Sequence, residues 1–392
     1  MLTTLAIANY RSIRELIVPL GSLNLVTGPN GSGKSNLYRA LRLLAETAQG
    51  GVVSTLAREG GLSSTLWAGP ETVSRRMRKG EVPVQGGPRK DVVALRLGFR
   101  TEQFGYAIDL GLPSSGSPTI EPSLFGLDPE IKRECIWSGE VLRPSTLLVD
   151  RRGPLVQVRD GAGEWIHVSR NVATFDSLFS QIADAARAPE VLALRDEVRL
   201  WRFYDHFRTD EAAPARQSQV GTRTTVLTHD GRDLAAALQT IREIGDDAAL
   251  NEAVSDAFPG ARVDVRASSA WFTLEFQQHG LLRPLGALEL SDGTLRYLLW
   301  IAALLTPRPP ALMVLNEPET SLHPDLLPAL ARLIRVAARN TQVWVICHAS
   351  RLIAALKEDP NCVPIELEKE FGETRVVGQE PLDRPAWSWP PR

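Results

Sequence analysis

Cysteine is scarce in this chain: three thiols in 392 residues, at Cys135, Cys347 and Cys362. Their spacing fits no metal-binding pattern, and so few thiols exclude a scaffold built on disulfides. Long hydrophobic runs are lacking too. The longest, Tyr297 to Leu305, is roughly half the ~18 residues that a membrane-spanning helix needs. The sequence is therefore not that of a membrane transporter. The opening Met1-Leu2-Thr3-Thr4-Leu5 lacks the basic stretch that begins a secretory signal. These absences predict a cytoplasmic protein in a reducing compartment, with no membrane partner. An excess of one charge is also missing. The formal net charge is −2, so any contact with nucleic acid needs a local basic patch. No heptad run and no internal repeat is found. The length allows one large domain or two.

Against this plain background one segment stands out. Gly28-Pro29-Asn30-Gly31-Ser32-Gly33-Lys34-Ser35 is a complete phosphate-binding P-loop. The apolar run Leu23 to Thr27 precedes it, and the helical pattern Asn36 to Leu41 follows. Strand, glycine loop and helix in that order are what the chemistry requires. Glycines let successive N–H groups turn toward one anion. The helix that starts near Gly33 adds the positive end of its dipole. Lys34 is placed to reach the outer phosphates, and the Ser35 hydroxyl to hold Mg²⁺. Asn30, Gly31, Ser32, Gly33 and Asn36 complete the expected cradle for ATP.

A second set lies in the last third. Leu312-Met313-Val314-Leu315-Asn316-Glu317 is an apolar strand ending in polar groups, the form of a Walker B segment. Ligands of open α/β sheets sit off the carboxyl ends of strands. Glu317 is thus the expected general base for an attacking water. Asn316 stands where an aspartate is usual. Its amide can accept a hydrogen bond but carries no charge, which predicts weaker Mg²⁺ support and slow turnover. His348, after the strand Gln342 to Cys347, is expected to meet the terminal phosphate. Ser291-Asp292-Gly293-Thr294 opens a helix; Ser291 can cap it, or Ser291 and Gly293 can present it to a phosphate.

The coarse pattern is α/β. Residues 1–27 read as two strands with a turn near Arg14-Glu15. The stretch Gly50 to Lys90 reads as an exposed insertion carrying the basic run Arg75, Arg76, Arg78 and Lys79. Hairpin strands follow at Asp91–Phe99, Phe104–Leu110, Thr146–Val149, Leu155–Arg159 and Glu164–Val168. Helical periodicity covers 176–206 and 233–257, and a strand pair 261–276. The Trp- and Pro-rich end, 385–392, reads as mobile or as a small docking segment. These patterns divide the chain into an N-terminal lobe at 1–170, a helical region at 171–280, a C-terminal lobe at 281–378 and a tail at 379–392.

Together these motifs resemble the ABC-type ATPase heads of the RecF and SMC group, most closely the small RecF-like ATPases. Asn9-Tyr10-Arg11-Ser12-Ile13 is similar to the group's opening motif, whose arginine approaches nucleotide. Ser291 to Thr294 is similar to its signature motif, Ser321-Leu322-His323-Pro324 to its D-loop, His348 to its switch histidine, and Gln181 to its Q-loop glutamine. The order and spacing exclude kinases and small GTPases. The resemblance implies a P-loop NTPase head with a mixed or parallel core sheet, an antiparallel β subdomain and a helical lobe. It implies ATP and Mg²⁺ as cofactors, with Ser35, Gln181 and Asn316 near the metal, and a homodimer with two ATP molecules between P-loop and signature motif. No coiled coil interrupts the motifs, which favours the RecF-like subtype.

Three functions follow from that resemblance. One is an ATPase acting on DNA in repair or genome maintenance. Another is a regulatory ATPase of an anti-phage or toxin system, whose effector would be a separate protein because few residues follow His348. The third is a nucleotide-sensing module with negligible turnover, for which Asn316 speaks.

Overall fold

In the computed structural model, residues 1–71, 74–79, 81–83, 94–113 and 124–392 are described. The chain forms two compact units, each assembled from separate stretches. One comprises Met1–Leu20, Gly28–Arg199 and Ile365–Arg392, the other Gly21–Thr27 and Leu200–Pro364. These units do not coincide with the consecutive lobes read from the sequence. The reason is the strand Leu23–Thr27, which pairs in parallel with Gln342–Ile346, more than 300 residues further on.

The first unit is built on an antiparallel sheet of eight strands. Leu2–Tyr10 lies between Ile13–Pro19 and Leu95–Thr101. The sheet continues through Phe104–Gly111, Glu130–Ser138, Leu147–Arg152, Leu155–Arg159 and Trp165–Ser169. Side chains alternate between faces. One face buries Leu5, Ile7, Leu97, Phe99 and Ile108. Phe99, Tyr106 and Phe179 pack together on that face, and Tyr106 donates to Glu134 at 2.7 Å. A buried ion pair completes it. Arg151 and Glu134 meet at 2.9 Å with both side chains fully enclosed. Removing one partner of such a pair costs about 3–5 kcal/mol, because the other charge is stranded.

The expected turn at Arg14-Glu15 lies three residues earlier, at Arg11-Ser12, since Tyr10 pairs with Ile13. Positive φ at Asn9 (61°) and Arg11 (50°) makes the tight reversal. A third strand, Leu23–Thr27, follows where two were expected. Part of the expected insertion is packed. Val52–Arg58 and Leu62–Thr65 are helices that bury Val52, Leu56 and Leu62, apolar residues that the Gly/Ser-rich composition concealed. Residues 91–93 of the expected strand lie outside the described residues. The strand Glu130–Ser138 was not legible, because Glu134 and Arg133 interrupt its apolar pattern.

The tail is docked rather than mobile. Gly98 has no side chain, and Trp387 occupies the space over it. Trp387 packs edge-on against Trp137 and Trp389, at 5.4 and 5.3 Å between ring centroids. Arg392 pairs with the buried carboxylate of Asp109 at 2.6 Å. Arg133 donates to the Pro391 carbonyl.

The second unit holds four parallel strands in the order Arg202–Tyr204, Leu312–Asn316, Gln342–Ile346 and Leu23–Thr27. Tyr204, expected on a helix, is on an edge strand; the helix before it stops at Arg199. Asp292–Leu304 is buried all round from Leu295 onward, as a core helix must be. It packs against Leu234–Ile244 and Leu327–Ala337. The helix expected over 233–257 is two, broken at Gly245, where a Cβ would crowd the Ile241 carbonyl. The strand pair Arg262–Ser268 and Trp271–Gln277 is as expected.

Candidate functional site

The glycine loop of the first unit is a cradle closed from behind. Gly28, Gly31 and Gly33 all have positive φ, at 138°, 81° and 110°. A methyl at Gly33 would collide with Thr374, and one at Gly28 with the Leu367 carbonyl. Both neighbours belong to a hairpin, Cys362–Glu370 with Glu373–Val376, that the sequence did not reveal. Thr374 donates to the Ser32 carbonyl at 2.9 Å and lies 2.7 Å from the Ser12 hydroxyl. Asn36 donates to that same hydroxyl at 2.7 Å. Two distant stretches, around Ser12 and Thr374, thus fix the loop.

Lys34 is buried, and its ammonium donates to the Gly28 and Pro29 carbonyls at 2.7 and 2.9 Å. Its charge is held over the mouth of the loop. Gly31 faces open space, and Ser35 is exposed at the start of the helix. This arrangement fits a polyphosphate: side chains are absent where the backbone must approach, and a fixed cation is present.

Arg11 is held by Glu59, with the guanidinium 2.8 Å from the carboxylate. Tyr10 donates to the same carboxylate at 2.7 Å. Burial first, and the Glu59 hydrogen bond second, raise the Tyr10 phenol above its ordinary range. Gln181 is exposed and donates to Asp176 at 2.9 Å. Its segment hangs on Glu134, which accepts from Ser177 at 2.5 Å and from the Leu178 amide at 2.9 Å. No sequence signal marked Glu134 or Glu59 as a support.

In the second unit the register aligns Asn316 with Ile346 and Ile346 with Val26. Three strands therefore end at one edge. Glu317, the pair Cys347-His348, and the chain entering the glycine loop at Gly28 all leave from there. Glu317 adopts φ 50°, a strained value for a residue with a side chain. Its N–H donates to the Ile346 carbonyl at 2.7 Å, and its carbonyl accepts from Thr320 at 3.0 Å. The strain turns its carboxylate out of the strand, half exposed, to within 3.6 Å of the His348 imidazole.

Glu319 is the residue that sequence reasoning missed. One carboxylate oxygen accepts from the amides of His348 and Ala349, at 2.6 and 3.1 Å. This clamp fixes the histidine beside Glu317.

Ser291 caps its own helix, accepting from the Thr294 amide at 3.1 Å. Ser291 is exposed. Asp292 is held by the buried Arg216 at 2.8 Å. The helix is tied to the segment after Glu317. Arg296 donates to the Thr320 carbonyl at 2.7 Å, and Trp300 to the Pro318 carbonyl at 3.1 Å. Burial lowers the pKa of the Arg296 guanidinium. A methyl on Gly293 would lie 3.2 Å from the Ser321 carbonyl.

The family model described as an AAA domain, putative AbiEii toxin, type IV TA system, matches residues 23–347. The chain belongs to this family. It is also 28% identical, over 166 residues, to the DNA replication and repair protein RecF of Magnetococcus marinus. That match covers 42% of this chain and 36% of the relative, so the chain spans about a third of that curated protein's length. Among solved structures, an SMC head bound to the C-terminal winged-helix domain of ScpA matches 96% of this chain and 97% of its own, at 14% identity and a TM-score of 0.51. The SMC head domain from Thermotoga maritima matches 97% of this chain and 99% of its own at 15% identity, with a TM-score of 0.42. The fold is that of an ABC-type ATPase head of the RecF and SMC kind.

Proposed function

We propose that the chain is an ATP-hydrolysing switch that pairs with a second copy when nucleotide is bound. The observation that carries this reading is the common edge where Asn316, Ile346 and Val26 end in register. It sends the expected base, the expected phosphate sensor and the stem of the glycine loop off one side of one sheet. ATP supplies the phosphoanhydride bond, and Mg²⁺ screens its charge. The loop amides and Lys34 bind the phosphates, and the Ser35 hydroxyl faces the metal. Glu317 orients water and takes its proton. His348 stands beside Glu317 as the phosphate contact. Ser291 and Gly293 meet nucleotide held by the other copy, and Arg11 and Gln181 complete the set, Arg11 after exchanging Glu59 for a phosphate.

Asn316 sets the rate in this scheme. The Asn316→Asp variant restores a charge at the strand end, and phosphate release should rise about tenfold at limiting Mg²⁺. An unchanged rate would show that the uncharged amide is no handicap. Glu319 tests the sensor. Without its carboxylate, in Glu319→Ala, the His348 loop loses two charge-assisted bonds. Phosphate release should fall about tenfold while ATP affinity holds, and equal loss of both would reduce Glu319 to a folding element.

Two settings fit. The likeness to RecF supports action on DNA, for which Arg75, Arg76 and Lys79 offer exposed cations, Arg76 beside Glu81 at 3.4 Å. The family's description as a putative toxin supports a regulatory ATPase working with a separate effector.

A further inference from the structure

The first unit holds a cleft of about 550 Å³ that no step of the proposed hydrolysis uses. Its volume is that of a small-molecule site. Its floor is the sheet face carrying Ala8, Glu15 and Arg96. This is the face on which the tail docks, because Ala8 alternates with Ala6, which pairs with Gly98 under Trp387. The opposite face carries Phe99, Tyr106 and the enclosed Arg151–Glu134 pair.

The charges around the cleft are mostly spent on one another. Arg96 pairs with Asp109, Arg375 with Glu373 and Glu370, and Arg384 with Glu15. Arg14 is different. It lines the cleft, and its side chain makes no ion pair or hydrogen bond among the described residues. Two further donors are enclosed without an acceptor: the Arg384 Nε and the Trp389 Nε1. Trp67 and Trp389 supply aromatic wall. A half-buried cation, orphaned N–H groups and two indoles select for an anion with a flat apolar body.

We propose that this cleft binds a small aromatic or heteroaromatic anion, and that its occupancy alters nucleotide affinity. The coupling runs through Glu373–Val376. Glu373 and Arg375 line the cleft, while Thr374 between them holds the Ser32 carbonyl and blocks Gly33. A ligand that shifts this strand shifts the loop, and linkage makes the effect reciprocal.

Anilinonaphthalene sulfonate, an aromatic anion whose fluorescence rises on burial, is the probe. Titrated into the full chain, it should bind saturably and one-to-one, and saturating Mg-ATP should change its affinity without emptying the site. Arg14→Glu should weaken it about tenfold, and Arg14→Lys should keep it within about threefold. Both variants should unfold at the wild-type temperature, since Arg14 holds no partner in the fold. Absence of saturable binding, binding indifferent to Arg14→Glu, or displacement in step with ATP occupancy would each overturn the proposal.

Discussion

Lys34→Ala should abolish ATP binding, with affinity falling on the order of 100-fold or more in equilibrium titration. Two charge-assisted bonds to phosphate, at about 1.5–3 kcal/mol each, account for a loss of that size. The geometry sharpens the expectation. The ammonium rests on the Gly28 and Pro29 carbonyls, so it is already at the mouth of the loop and need not be recruited. Alanine removes that charge and also leaves the two carbonyls without their donor. Thermal unfolding separates the two effects. The loop is held from behind by Thr374 and Asn36, so the variant should remain folded. ATP affinity within a few-fold of wild type would show that these glycines cradle something else.

Glu317→Gln should slow phosphate release by about 100- to 10,000-fold while leaving ATP affinity nearly intact. Glutamine keeps the shape and the hydrogen-bond acceptor but cannot take a proton. The strained backbone at Glu317 does not depend on the carboxylate, because the amide of residue 317 and its carbonyl make the holding bonds. With Mg-ATP the variant should accumulate as a dimer in size-exclusion chromatography and remain monomeric without it. An unchanged rate would remove Glu317 as base. A monomer at saturating Mg-ATP would remove the paired state.

The elements that carry the proposed chemistry were legible because they are written locally. A glycine loop needs its glycines in sequence, and a buried parallel strand needs its apolar run, so Gly28 to Ser35 and Leu312 to Glu317 declare themselves. The supports were not legible, because each is a long-range partner. Thr374 lies 342 residues from the Ser32 carbonyl it meets, and nothing near Glu373–Val376 hints at phosphate. Glu59 sat in a stretch whose glycines suggested a loop. The tail read as loose because Pro and Trp form no periodic pattern, yet Gly98 and Asp109 provide a place for it. The φ of Glu317 is beyond any pattern of side chains; only the turn forced by its contact with Ile346 fixes it.

The ties from Arg296 and Trp300 to the carbonyls of Thr320 and Pro318 make one lever of two motifs that the sequence keeps separate. Any displacement of the turn beyond Glu317 pulls on the helix begun by Ser291. In the proposed cycle that lever would carry the outcome of hydrolysis, with no moving hinge in between, to the helix end offered to a second copy.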